Sequence, residues 1–174
     1  MTDGPDAEKT GRIAEITLDE RTVIRRSPEV EHERAGAIAD LLSDNRFRLS
    51  SGRAGPFLLH LAVEENRLSI EIRSKADGDT ETIVVPLDPF RRVVKDYFLV
   101  CESYSKAIRS GNFGQVEAID GGRRGLHNEG ASLLIERLAD RIDTDRDTAR
   151  RLFTLICVLH IKAASHGLGE HPRS

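Results

Sequence analysis

The sequence predicts an α+β domain, and three observations carry that prediction. Apolar and polar residues alternate from Phe57 to Leu87, the period changes from 2 to 3.6 at Asp88, and the stretch Leu152 to Ile161 is apolar on nearly every side. In that last stretch only Thr154, Cys157 and His160 interrupt large aliphatic or aromatic side chains, so protein must surround it. At about ten residues it is far shorter than the ~20 needed to cross a bilayer. A buried helix is expected, capped by Thr144, with Asp147 in its first turn and Gly167 and Gly169 at its end.

Each element follows in order. Residues 1–10 are rich in Gly, Pro, Asp and Glu and read as a disordered arm, and residues 165–174 as a flexible tail, leaving one globular domain over 11–164. Arg12 to Leu18 alternates imperfectly and predicts a short strand. Ser27-Pro28 opens a helix, with Glu29, Glu31 and Glu33 in its first turns and an apolar stripe of Val30, Ala37, Ile38, Leu41 and Leu42. Strands are expected at Arg46–Leu49, from Phe57 to Val63, from Leu68 to Ile72 and from Thr82 to Leu87, with turns at Asn66-Arg67 and Ala76–Asp79. Tight turns between successive strands predict an antiparallel meander. Asp88-Pro89 opens a long helix whose face carries Phe90, Val93, Val94, Tyr97, Cys101, Tyr104 and Ile108, closed by Ser110-Gly111-Asn112. A helical turn at Gln115–Ile119, a glycine-broken bend and a helix over Ala131–Arg141 precede the buried helix. The helices thus cover the apolar face of the sheet.

Composition narrows the function. With 174 residues the chain suffices for one sizeable core, and a net charge of -3 supplies no global drive toward nucleic acid or anionic lipid. Aromatic residues at 5% with no Trp disfavour a stacking platform for single strands. Cys101 and Cys157 are far apart, belong to no CxxC pair and read as reduced core thiols. Met1 to Gly11 shows no basic-then-apolar leader, so a cytoplasmic protein is expected, with no membrane partner and no cofactor.

The most unusual segment is Gly121-Gly122-Arg123-Arg124-Gly125-Leu126-His127-Asn128-Glu129-Gly130. Glycines permit a bend that points successive N–H groups at an anion, and a following helix start adds positive potential. Arginine forks grip phosphate or carboxylate. An anion-binding Gly/Arg loop follows, with Arg123, Arg124, His127 and Asn128 as ligands and His127 suited to proton exchange. The competing reading is a plain helix–helix connection, capped by Asn128, with its arginines paired to Asp120 and Glu129. No Walker or G-x-G-x-x-G spacing is present.

Other polar stretches carry less. Glu31-His32-Glu33 has Gly36 where a zinc motif requires a second His, so a solvated acidic face is expected and no metal site. Arg25, Arg26, Arg91, Arg92, Lys95, Arg150 and Arg151 would form a positive groove only by converging with Arg123 and Arg124; scattered surface arginines are the commoner outcome. The last two helices do not make a DNA reader, because the second is too apolar to lie in a groove.

The blocks Arg26–Ala35, Pro89–Phe98, Cys101–Arg109, Gly122–Gly130 and Thr148–His160 together resemble uncharacterised protein family 0262, small alphaproteobacterial proteins. The resemblance spans about Ile13 to His160. It implies a bacterial cytoplasmic protein and transfers no activity, cofactor or catalytic residue. Two functions fit the residues. The favoured one is a non-enzymatic binding or regulatory module whose loop holds a phosphorylated small molecule or a protein partner, with nucleic acid open but disfavoured. The alternative is an enzyme acting on a phosphorylated or carboxylated small molecule, with His127 as acid/base and Glu129 as its orienter.

Overall fold

The computed structural model describes residues 10–20 and 28–169, without the side chains of 29 and 161–169. The expected arm (but for Thr10), Arg25, Arg26, the Ser27 cap and residues 170–174 of the tail lie outside the described residues.

The fold is α+β, as the sequence predicts. Strand β1 (Ile13–Leu18) leads through helix α1 (Pro28–Ser43) to β2 (Phe47–Leu49), β3 (Phe57–Glu64), β4 (Arg67–Ser74) and β5 (Thr80–Pro86). A 3-10 turn at Asp88–Phe90 then opens α2 (Arg91–Arg109), followed by α3 (Phe113–Leu138), β6 (Ile142–Thr144) and α4 (Arg146–Gly169). The last helix therefore continues into the stretch read as tail.

Strands β3, β4 and β5 form the expected antiparallel meander, driven by clean alternation: Phe57, Leu59, Leu61, Leu68, Ile70, Ile72, Ile83 and Val85 are all buried. Their first turn is two residues, Glu65 and Asn66, both at positive φ, the arrangement whose twist suits a tight hairpin. The sheet as a whole is mixed, because β1 lies parallel to β3 in the order β1-β3-β4-β5. A parallel neighbour needs a long crossover, and α1 supplies it. The imperfect alternation of β1 corresponds to a register shift between Ile13 and Glu15.

A second correction concerns β2. It does not extend the meander but pairs antiparallel with β6, a strand the sequence does not predict. Three-residue strands contracted across almost a hundred positions leave no periodic signal. Asn45, just past α1, fixes the helix against β1: it accepts from the Ile13 N–H at 2.7 Å and donates to the carbonyls of Ile13 (3.0 Å) and Leu41 (2.8 Å).

Helix α4 is the axis of the core. Leu152 to Leu159 are all 5% exposed or less, and α1, α3 and β3 surround them. Burying each large side chain contributes about 1.5–3 kcal/mol, more than any surface ion pair in the molecule can. Its N-terminus differs by one residue from expectation: Asp145 Oδ1 accepts from the Thr148 N–H at 3.0 Å, while Thr144 belongs to β6.

Candidate functional site

The Gly/Arg segment is not a loop. Residues 121–130 lie inside α3, a continuous helix of 26 residues. Two interactions oppose the helix-breaking tendency of its glycines, which cost about 1 kcal/mol each relative to Ala. Asp120 pairs with Arg123 at 3.3 Å and with Arg124 at 2.6 Å, one turn along. Gly130 lets α3 close on α4: a Cβ there would stand 2.5 Å from the Phe153 ring. The expected row of free N–H groups is therefore spent on helix hydrogen bonds, and what the segment presents is side chains.

Helical spacing now decides which of them meet. Asp120, Arg123 and His127 fall on one face, turned toward α1, α2 and α4, whereas Glu129 lies off that face and pairs with Arg92 of α2. The Glu129 carboxylate thus serves α2 and does not orient His127. Asn128 caps nothing in mid-helix; its Oδ1 accepts from Arg150 Nη1 at 3.0 Å, and its carbonyl accepts from Arg146 at 3.2 Å.

The centre of the arrangement is Glu33, half-buried on α1 and not part of a solvated acidic face. Its Oε2 accepts from Arg123 Nη1 at 2.7 Å, and its Oε1 accepts from the Tyr97 hydroxyl. Arg123 also lies over the Tyr104 ring at 5.2 Å. Its Nε–H is buried and has no hydrogen-bond partner among the described residues. His127 Nε2 lies 3.1 Å from Tyr97 Oη and 3.2 Å from Thr154 Oγ1. Each hydroxyl has one proton to give: Tyr97 gives its own to Glu33, and Thr154 gives its own to the Arg150 carbonyl at 3.1 Å. Nε2 must then carry the proton and donate, which fixes the tautomer of a neutral imidazole.

Electrostatics agree with that assignment. Burial, reinforced by the Arg123 charge, lowers the His127 pKa from 6.5 to about 4. The Tyr97 hydroxyl is pushed up, first by burial and then by neighbouring Cys101 and Glu33. Burial also raises Cys101 to about 11 and Cys157 well above its ordinary value, so both thiols stay protonated.

Beside this network lies an open concavity of about 400 Å³. Arg123, Arg124 and His127 enter it from α3, Arg150, Arg151 and Thr154 from α4, and Glu33 and Asp40 from α1. Four arginines face two carboxylates. Arg124 and Arg150 are held by Asp120 and Asp147, whereas Arg151 has no ion-pair partner among the described residues. The convergence of Arg150 and Arg151 with Arg123 and Arg124 is real, while Arg91, Arg92 and Lys95 lie outside the concavity. Sequence reading missed Glu33, Tyr97 and Thr154 because each sits in an ordinary amphipathic helix, and only the packing of four helices brings them together. Among the described residues no group of three or more His, Cys, Asp or Glu is placed to hold a metal, and no helix is long and apolar enough to cross a membrane.

Comparison with known proteins is consistent along the chain. The model of Uncharacterised protein family (UPF0262) matches residues 10–162. A protein described by that family name from Rhodospirillum rubrum is 56% identical over 157 residues, covering 90% of this chain and 97% of its own. Relatives from Xanthobacter autotrophicus (51% identical, 93% and 99% covered) and Rhizobium etli (50% identical, 86% and 94% covered) carry the same description. No solved structure matches.

Proposed function

The chain belongs to Uncharacterised protein family (UPF0262), and from its own geometry we propose that it is a cytoplasmic, non-enzymatic binding module that holds a small phosphorylated or carboxylated molecule in the basic concavity between α1, α3 and α4. One observation carries the reading: four arginines on two helices converge on a concave site, and among the described residues Arg151 has no ion-pair partner and the buried Arg123 Nε–H no hydrogen-bond partner. Arg123, Arg124 and Arg150 already have carboxylate partners, so an anion would chiefly give Arg151 the charge-assisted acceptors it lacks among the described residues. Arg151 and Arg124 would grip the anion at the rim, with Arg123 behind it. This relocates the anion from the backbone of a loop to side chains of two helices.

The enzyme alternative loses support from the same geometry. A His127 held neutral, with Nε2–H already donating to two hydroxyls, is a poor proton carrier at neutral pH, and its intended orienter Glu129 is paired elsewhere. His127 reads instead as a positioning group for Tyr97 and Thr154.

Isothermal titration with inorganic phosphate and with citrate tests the proposal. Saturable binding is expected, weakened about tenfold or more in Arg151→Ala, since a hydrogen bond to a charged group contributes about 1.5–3 kcal/mol. Absence of binding by any small anion, or unchanged affinity in an Arg124→Ala/Arg151→Ala double variant, would overturn it.

A further inference from the structure

A second concavity, of about 420 Å³, adjoins the first and is the more apolar of the two: Pro28, Cys101, Tyr104 and Ile108 line it, with Ser105 and Arg109 beside them. Both concavities share His32, Glu33 and Arg123. The α1 residues involved run Pro28, His32, Gly36 and Asp40, a single stripe at four-residue spacing. Twelve residues of helix span about 18 Å. The two hollows, which share three residues, are therefore read as the ends of one groove beneath α1, more apolar where α2 forms its wall and richer in arginine where α4 does. The Glu33–Arg123 ion pair crosses it at the middle.

Two details show that the groove is open. Ile108, on the apolar half, is 45% exposed although it lines a hollow. A Cβ built on Gly36, over the basic half, meets nothing within 4 Å. Apolar surface left uncovered beside a cluster of arginines suits a ligand with the same polarity, and neither half alone explains the other.

We infer that the ligand is an amphipathic anion, a single carboxylate or phosphate head on an extended apolar body, lying along the groove with its head at Arg124 and Arg151 and its body against Tyr104 and Ile108. The inference rests on the binding function proposed above and names its ligand class. The Arg123 guanidinium, stacked on Tyr104 and paired with Glu33, forms the floor over which the body passes into the head site.

Titration of the full chain with octanoate, octyl phosphate and inorganic phosphate, below the micellar range, tests it. Octyl phosphate should bind at least about tenfold more tightly than inorganic phosphate, because burying even two or three methylenes provides that factor. Comparing octanoate with octyl phosphate identifies which head the basic end prefers. Ile108→Asp, at an exposed position, should abolish the octyl advantage and leave inorganic phosphate binding intact. Gly36→Leu should weaken all three by filling the basic half. Inorganic phosphate binding with no octyl advantage overturns this inference and leaves the binding function standing, whereas no binding by any of the three overturns both. An octyl advantage that survives Ile108→Asp, in a variant whose unliganded melting temperature is unchanged, means the body lies elsewhere and also overturns the inference.

Discussion

Replacing single glycines of α3 by alanine should change stability in opposite directions within one helix. At Gly122 and Gly125 a Cβ meets nothing within 4 Å, so Gly→Ala keeps every contact and gains helix propensity, about 0.8–1 kcal/mol. At Gly130 the same methyl would stand 2.5 Å from Cε1 and Cζ of Phe153, whose ring is 0% exposed and has nowhere to retreat. Overpacking of that kind costs typically 1–3 kcal/mol and occasionally more, and here three ring atoms are met at once. Set against the propensity gain, Gly130→Ala should still lose about 2 kcal/mol. For a domain of this size that is a fall of roughly 4–8 °C in melting temperature, against a rise of about 2–4 °C for Gly122→Ala. Urea unfolding followed by circular dichroism at 222 nm reads both. A Gly130→Ala variant as stable as the parent, or a Gly122→Ala variant less stable by more than ~0.5 kcal/mol, would refute the continuous helix and its packing on α4.

Three further outcomes follow from the buried network. Glu33→Ala removes the acceptor of both Tyr97 and Arg123 and leaves the half-buried guanidinium with Asp120 as its remaining carboxylate; a loss of about 1.5–3 kcal/mol is expected by urea unfolding, and Tyr97→Phe should lose only about 1 kcal/mol. His127 has a folded pKa near 4, below its unfolded value of 6.5, so the unfolded chain binds more protons between these values and stability falls as pH drops through that window. At about 1.4 kcal/mol per tenfold, the upper bound is ~3 kcal/mol and solvent screening of the partly exposed ring reduces it to about 2. The difference in unfolding free energy between the parent and His127→Gln should therefore shrink on going from pH 7 to pH 4.5, and an invariant difference would contradict the assignment. Finally, a thiol reagent at pH 8 should label neither Cys101 nor Cys157 on the scale of minutes until urea unfolds the chain, because burial keeps both protonated.

Much of the fold is legible in the sequence because local periodicity and burial coincide. The alternation of Phe57 to Val85 and the nearly continuous apolar run of α4 report their own environments. What escapes notice are contacts that need distant partners: β2 on β6, and the parallel placement of β1. The glycine-rich segment misleads for a definite reason. Each glycine counts against helix by about 1 kcal/mol, about 4 kcal/mol over Gly121, Gly122, Gly125 and Gly130, and the packing of α3 on α2 and α4, which Gly130 permits by its close approach to Phe153, offsets that. Of the residues singled out there, Arg123, Arg124 and His127 do converge, whereas Asn128 and Glu129 point to other neighbours. Glu33 carries no sequence signal beyond its place in an acidic first turn, since its importance comes from Tyr97 and Arg123, 64 and 90 residues away.

The most direct test of the central claim is the arginine Nε–H spectrum of nitrogen-15-labelled protein titrated with inorganic phosphate. The Arg123 signal, assigned by its loss in Arg123→Lys, should move saturably together with the backbone amides of Arg151 and Thr154, because Arg123 lines the concavity and its Nε–H has no hydrogen-bond partner among the described residues. A spectrum in which these signals stay fixed while phosphate perturbs only scattered surface arginines would contradict an anion site between α1, α3 and α4.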